Sequence, residues 1–174
     1  MKLENYQKKL AGLIRGTYDV AESDHVHLHA IADSINLRVT QEVVIEWRML
    51  SIENYCRLTA GVLKQLDLFR DETEKFISTH GFSPYIEELG QSFLQAMEQQ
   101  DIDLLASVAA FERAMIDVQQ GTRDGVTVKW NYNPYEVLAA LFEGSGLDEL
   151  EAGEEYAAYI SSELPKLFQV TRLR

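Results

Sequence analysis

The chain has 174 residues, 46% apolar and 25% charged, a composition typical of a globular protein with one domain or one helical body and a small appendage. Its 16 Lys and Arg residues against 28 Asp and Glu residues give a net charge of −12, which disfavours nucleic acid as a partner because the surface repels phosphates. No apolar run approaches the roughly 20 residues that cross a bilayer. With no secretory signal and a single cysteine, we expect a cytoplasmic protein without a membrane partner.

Three helical segments are predicted at the N-terminal end. Apolar residues three and four apart predict the first over about Leu3 to Arg15. The second is a shorter segment around His25 to Ser34, preceded by acidic residues that can cap it. The third pattern runs from Thr40 to about Leu66, with Asn36 or Thr40 as its cap. It predicts one long helix or two consecutive helices that break near Ser51.

Three further helices are predicted from their capping signals. An acidic first turn, a Ser-Pro pair with the hydroxyl as cap and proline at the first helical position, and an aspartate mark their starts. Glycines mark two of the ends. The starts are placed at Asp71, at Ser83-Pro84 and at Asp101 or Asp103, and the ends at Gly81 and Gly121.

After Gly121 the residues 126–130 alternate between apolar and polar as in a strand. The last segment is ambiguous: a helix is possible for its first half, but Pro165 interrupts it and the β-rich composition after Pro165 favours strands. The predicted elements are a strand at Val126–Trp130, a helix from Asn133-Pro134 to Glu143, and two antiparallel strands at Tyr156–Ser161 and Lys166–Leu173. We therefore expect a predominantly helical α+β fold. Residues 1–121 form a multi-helix body, and residues 122–174 form a small α/β region with a three-stranded antiparallel sheet.

Few residues have the spacing that catalysis or metal binding needs. His25, His27 and His29 are the one metal-like cluster, since the first and last share a helix face. A solvated helix face explains the same pattern. Cys56 lies in an apolar helical segment, where a raised pKa and low reactivity are expected. There is no nucleophile motif or phosphate-binding loop, so no catalytic residue is predicted.

Aromatic side chains concentrate in the C-terminal third of the chain, where the sheet is predicted. An antiparallel sheet with a free edge can accept an extended peptide as an extra strand, and aromatic and Arg side chains often carry the binding energy at such surfaces. Attachment of the sheet to the helices explains the aromatic residues equally well. The predicted peptide contacts alternate along the two terminal strands: Tyr156, Tyr159, Phe168, Val170 and Arg172.

Several segments resemble a known family. The segment FISTHGFSPYIEELGQSFLQAM, followed by LLASVAAFERAMIDV, is similar to the helical part of the partner proteins of multinuclear non-haem iron enzymes that modify ribosomally made peptides. The methanobactin-biosynthesis accessory proteins belong to this family. The segments YQKKLAGLI and SIENYCRLTAGVLKQL extend the resemblance. The turn HGFSP replaces the double-proline turn of the family, and FER replaces its usual leucine and tryptophan around the glutamate.

The resemblance implies a non-catalytic subunit that forms a heterodimer with the iron enzyme. The enzyme holds the iron and acts oxidatively on cysteine, so no cofactor is expected in this chain. The helical part would pack on the enzyme, and the C-terminal sheet would bind the leader of a cysteine-containing precursor peptide by strand addition. Two alternatives stay open: a helical DNA-binding regulator, and a metal-dependent enzyme that uses His25, His27 and His29.

Overall fold

The computed structural model describes residues 2–80 and 83–173. These residues form eight α-helices, one short 3-10 turn and a three-stranded antiparallel sheet near the C-terminal end. The predicted fold class, α+β and mainly helical, is confirmed. Two compact units make up the chain, Met1–Leu50 and Ser51–Arg174, and the sheet belongs to the second.

The first unit is built from helices α1 (Leu3–Arg15) and α2 (Val26–Ala32) and most of α3 (Ile35–Tyr55). Its core is small. Each helix contributes one leucine to the buried cluster: Leu13, Leu28 and Leu37.

The caps of α2 and α3 differ from those predicted. The ring Nδ1 of His25 accepts the backbone N–H of His27, so a histidine takes the place of the predicted acidic cap. Ser34 supplies the cap of α3, since its hydroxyl accepts the backbone N–H of Asn36 at 3.1 Å. The predicted caps at Asn36 and Thr40 are wrong because the helix begins before both residues, at Ile35.

The long apolar pattern forms two helices, α3 and α4 (Arg57–Gln65), which is one of the two predicted alternatives. The break falls at Cys56, not near Ser51. Its cause lies far along the chain: the Glu112 carboxylate accepts the backbone N–H groups of Leu58 and Thr59, each at 2.8 Å. A carboxylate at this position caps the new helix, which therefore starts where Glu112 reaches it.

Three helices follow, and their starts differ slightly from the prediction. The first begins two residues before Asp71. The Ser83 hydroxyl accepts the N–H of Tyr85, yet the next helix begins after Tyr85, so Pro84 precedes the helix instead of opening it. Neither Asp101 nor Asp103 provides a side-chain cap for the last one. Gly81 lies outside the described residues. The helices are α5 (Phe69–Thr79), α6 (Ile86–Met97) and α7 (Asp103–Gln119).

The C-terminal part agrees closely with the prediction. The Asn133 side chain caps α8 by accepting the N–H of Tyr135, and Gly144, with a left-handed φ of 70°, ends it. The sheet has the order β1-β2-β3, all antiparallel, and packs on α7, which also contacts α4 and α6. The elements are β1 (Gly125–Trp130), α8 (Pro134–Glu143), a 3-10 turn (Leu147–Glu149), β2 (Tyr156–Ser161) and β3 (Phe168–Arg172).

Candidate functional site

The two faces of the sheet have different surroundings. Val128 pairs directly with Ala158, and Val126 with Ile160, so these side chains share one face. That face is the inner one, since Val128, Ala158 and Ile160 are buried against the helices. By the two-residue period of a strand, the described strand residues divide into two sets. Inner are Val126, Val128, Trp130, Tyr156, Ala158, Ile160, Phe168, Val170 and Arg172; outer are Gly125, Thr127, Lys129, Ala157, Tyr159, Ser161, Gln169 and Thr171.

The predicted peptide contacts lie on adjacent strands but not on one face. Only Tyr159 is on the outer face, where it is 46% exposed. Phe168 is turned inward and meets the ring of Phe111 on α7 edge-on, with centroids 5.1 Å apart. Phe111 also contacts Trp130 at 5.6 Å. Phe168 therefore attaches β3 to the helical body, which is the alternative explanation considered for these aromatic residues.

Arg172 and Tyr156 are joined at the open end of the β2–β3 pair. Both bind the same carboxylate: the Tyr156 hydroxyl donates to Glu154 at 2.6 Å, and Arg172 forms an ion pair with it. The hydrogen bond to Glu154 raises the pKa of Tyr156. A cavity of about 750 Å³ at this end is lined by Gly153, Glu154, Glu155, Arg172 and Leu173. With two carboxylates in its lining, this end of the sheet is acidic.

The hydrogen bonds next to the strands show which backbone groups point out of the sheet. Ser161 N–H donates to Leu167 at 2.8 Å, and Leu173 N–H donates to Glu155 at 2.7 Å. In an antiparallel pair the bonded positions alternate. The odd-numbered residues of β2 therefore bond to β3 and the even-numbered residues bond to β1.

Each outer strand consequently offers one row of backbone groups to a guest strand. On β3 the outward N–H and C=O groups belong to Phe168, Val170 and Arg172, and on β1 they belong to Thr127 and Lys129. Within residues 2–80 and 83–173, no strand covers either edge. Tyr156 and Tyr159 lie on the central strand, whose backbone groups are used on both sides, so they can reach a guest only through their side chains.

A groove of about 390 Å³ runs beside the edge of β1. One wall is α7, which contributes mostly small side chains: Ala106, Ser107, Ala110 and Ala114. The other wall is formed by the consecutive residues 126–129 of β1. Inward- and outward-facing residues of β1 both line the groove and residues of β2 do not, so the groove follows the free side of the strand.

The lining of this groove includes three cationic side chains and one acidic side chain, Asp117. Arg113 is held by Glu98, with Nη2 and Oε2 2.7 Å apart. Arg123 contacts Asp117 at 3.4 Å and is half exposed. Lys129 is exposed and takes part in no ion pair in the described part of the chain. The groove is therefore locally basic in a protein whose net charge is −12.

Sequence reasoning missed the groove because its two walls are distant along the chain. One signal was available. Ala106, Ala110 and Ala114 recur every four residues and place a row of small side chains along one side of α7. Such a row permits close approach of another segment, but the sequence does not show which segment lies opposite it.

The histidine cluster does not assemble a metal site. His25 and His27 stack on each other, with ring centroids 4.9 Å apart. Glu22 and His25 have the spacing of a Glu-x-x-His iron motif, but they lie before α2 instead of on a helix. In the part of the chain that the structure describes, no group of three or more His, Cys, Asp and Glu side chains is placed to hold a metal ion.

Two buried titratable groups lie between α4 and its neighbours. The Cys56 thiol is fully buried and donates to the backbone oxygen of Gly90 at 3.5 Å. Burial raises its pKa, in agreement with the unreactive thiol that the sequence predicted. Burial also raises the pKa of Glu112, against the opposing effect of its hydrogen bonds from Thr59 and Leu58. Both groups have structural contacts that account for their positions.

Comparison with known proteins adds no further identification. No protein-family model matches the sequence, and no curated protein is significantly similar to it. Among the described residues, no helix has the length and apolar character needed to cross a membrane. The proposal of function therefore combines the chain's own geometry with the resemblance given by its sequence.

Proposed function

We propose that the protein is a non-catalytic partner subunit that binds an extended segment of a ribosomally made precursor peptide. In this proposal it presents the peptide to an iron-dependent enzyme that modifies cysteine, and the iron belongs to that enzyme. The supporting observation is the small sheet, whose two outer strands each turn a row of backbone N–H and C=O groups away from β2. Such edges bind extended peptides by adding a strand.

The energetics of strand addition explain why the surroundings of the edge matter. Each backbone hydrogen bond adds about 0.5–1.5 kcal/mol net, and only two or three residues of each strand point outward. A few such bonds give weak binding without sequence preference. Selection of one precursor therefore depends on the side chains and walls beside the edge.

The first unit carries a surface suited to contact with an enzyme. Ile35, Val39 and Val43 follow one another every four residues on α3, and their side chains are 67%, 51% and 49% exposed. Because residues four apart share a helix face, they form one apolar stripe. Contiguous exposed apolar surface of this kind marks protein contacts. The stripe supports the heterodimer part of the proposal.

Two binding measurements test the proposal. A candidate iron enzyme of the peptide-modifying class is titrated with the purified protein by calorimetry, and a labelled candidate precursor peptide that contains cysteine is titrated by fluorescence anisotropy. We expect both to bind. Val43→Glu should weaken enzyme binding by more than tenfold, because it places a charge in the apolar stripe. Phe142→Glu is the matched control, since Phe142 on α8 is 80% exposed and lies in the other unit. If neither enzyme nor precursor binds, the proposal is wrong.

A further inference from the structure

The two sheet edges do not offer a peptide the same surroundings, and the difference points to one of them. We propose that the groove between α7 and β1 takes the peptide, and that it selects an extended segment with an acidic side chain at the position opposite Lys129. The inference rests on the proposed peptide-binding function and specifies its site and its ligand. It depends on three observations: the outward backbone groups of β1, the small-residue wall, and the unpaired Lys129.

The backbone of β1 sets the position of the guest strand. The outward groups of Thr127 and Lys129 are two residues apart, which is about 6.7 Å along a strand. A guest strand bonded to both residues extends the sheet in the plane of β1. Its side chains then alternate between the inner face, beside α7, and the outer face, beside Thr127 and Lys129.

The wall of α7 determines which side chains fit the inner row. Ala106, Ala110 and Ala114 leave space between the helix and β1, and that space is the groove of about 390 Å³. Small or medium apolar side chains of a guest can enter it and bury surface at about 25 cal/mol per Å². A guest strand added to β3 would have no comparable helix beside it. Among the described residues, the cavity next to Arg172 is lined by residues 153–155 and 172–173.

The charge of Lys129 determines which guest side chains fit on the outer face of the sheet. Lys129 is the exposed cation on the outer face of β1 and has no ion pair in the described residues, so a guest carboxylate placed opposite it meets an uncommitted partner. Arg123, half exposed and 3.4 Å from Asp117, adds positive charge at the same groove. The overall charge of −12 acts over longer distances and is screened within about 8 Å at physiological salt. Contacts inside the groove therefore govern which peptide stays bound.

The opposite edge has the reverse character. Arg172, the one cation within β3 (Phe168–Arg172), already forms an ion pair with Glu154, and Glu155 also lines the cavity at this end. The side chain of Phe168 is packed on Phe111 and is not available to a guest. An acidic peptide on β3 would face carboxylates, whereas on β1 it would face Lys129.

Selection from a displayed library of random 12-residue peptides tests the inference directly. The full-length protein is the target, in parallel with Lys129→Glu and with the control Lys75→Glu, which reverses a charge on α5 where the side chain is 65% exposed. We expect the wild type and Lys75→Glu to enrich Asp or Glu at one position of the aligned peptides. Lys129→Glu should enrich Lys and Arg there instead.

The affinity of the best acidic peptide is then measured by anisotropy, and Lys129→Glu should weaken it about tenfold, while Lys75→Glu should leave it within about twofold. Enriched peptides without this acidic position, or peptides whose affinity is unchanged by Lys129→Glu, would overturn the inference and leave peptide binding intact. A selection that enriches no peptide at all would overturn the proposed function and this inference with it. Circular dichroism of each variant checks that it is folded.

Discussion

The edges of β1 and β3 present the same backbone chemistry in unlike settings. β1 runs beside α7, across a groove lined by alanines and by Lys129, which has no ion pair among the described residues. β3 is tied down through Phe168 and through the Arg172–Glu154 ion pair. The difference shows that the side chains around a free strand edge decide whether it binds one peptide selectively, because backbone groups alone bind any extended chain.

The inner face of the sheet attaches the strands to the helices. The largest expected loss of stability therefore comes from substitution of Trp130, which lies on that face. Its side chain is 1% exposed and contacts Phe111. We expect Trp130→Ala to lower the free energy of unfolding by about 3–5 kcal/mol, because a large cavity opens between sheet and helix. Urea denaturation with comparison of m-values measures this. Tyr159→Ala on the outer face is the control, and a loss as large as that of Trp130→Ala would contradict the assignment of the two faces.

Substitutions of Glu112 test whether its hydrogen bonds to α4 stabilise the attachment of α7, the helix that forms one wall of the groove. Glu112→Ala leaves the buried N–H groups of Leu58 and Thr59 without their acceptor, so we expect a loss of about 1–3 kcal/mol in the free energy of unfolding. Glu112→Gln keeps one acceptor oxygen and should lose less. Equal losses in the two variants would show that the carboxylate's hydrogen bonds do not stabilise α4.

Glu112 also makes the free energy of unfolding depend on pH, in a direction that follows from its raised pKa. Because burial raises the pKa of Glu112, the folded state holds this proton more tightly than the unfolded state. Its contribution to stability is therefore fully present below the ordinary glutamate pKa of about 4.3 and is lost as the pH rises through the raised value. Glu112→Gln should remove this loss, so the wild type should decline relative to the variant across that window. Denaturation curves at several pH values check it.

Proline substitutions separate the two edges. Thr127→Pro and Val170→Pro each remove one outward N–H group, and edge strands tolerate proline at such positions. We expect Thr127→Pro to weaken binding of the selected acidic peptide at least tenfold, and Val170→Pro at most twofold. Fluorescence anisotropy measures both. The reverse order would place the guest on β3, as the sequence-based contacts Phe168, Val170 and Arg172 predict.

The smallest effect is expected at Arg172. Its side chain is 65% exposed and that of Glu154 is 48% exposed, and ion pairs between exposed side chains contribute little. Arg172→Ala should change the melting temperature by less than about 2 °C and the affinity for an acidic peptide by less than twofold. Calorimetric melting and anisotropy measure these quantities. A large loss of affinity would give β3 a role that its acidic surroundings do not predict.

Local signals were sufficient for most of the fold. The periodic apolar residues of α1, the cap at Asn133 with the glycine end at Gly144, and the alternation in β1 all predicted elements that the structure contains. Each signal acts within a few residues, so neighbouring side chains and backbone preferences determine it. The antiparallel pairing of β2 with β3 was predicted from their short connection at Glu163-Leu164-Pro165.

Contacts between distant residues decided the rest. The helix break at Cys56 depends on Glu112, more than fifty residues later, and the inward turn of Phe168 depends on Phe111. The groove exists only because α7 lies beside β1, which no local pattern encodes. The sequence by itself determined the helices, the strands and the α+β class, since these follow from local periodicity. Tertiary packing alone decided which of two chemically equal edges has a wall and a free cation, because that choice arises from the positions of separate segments in space.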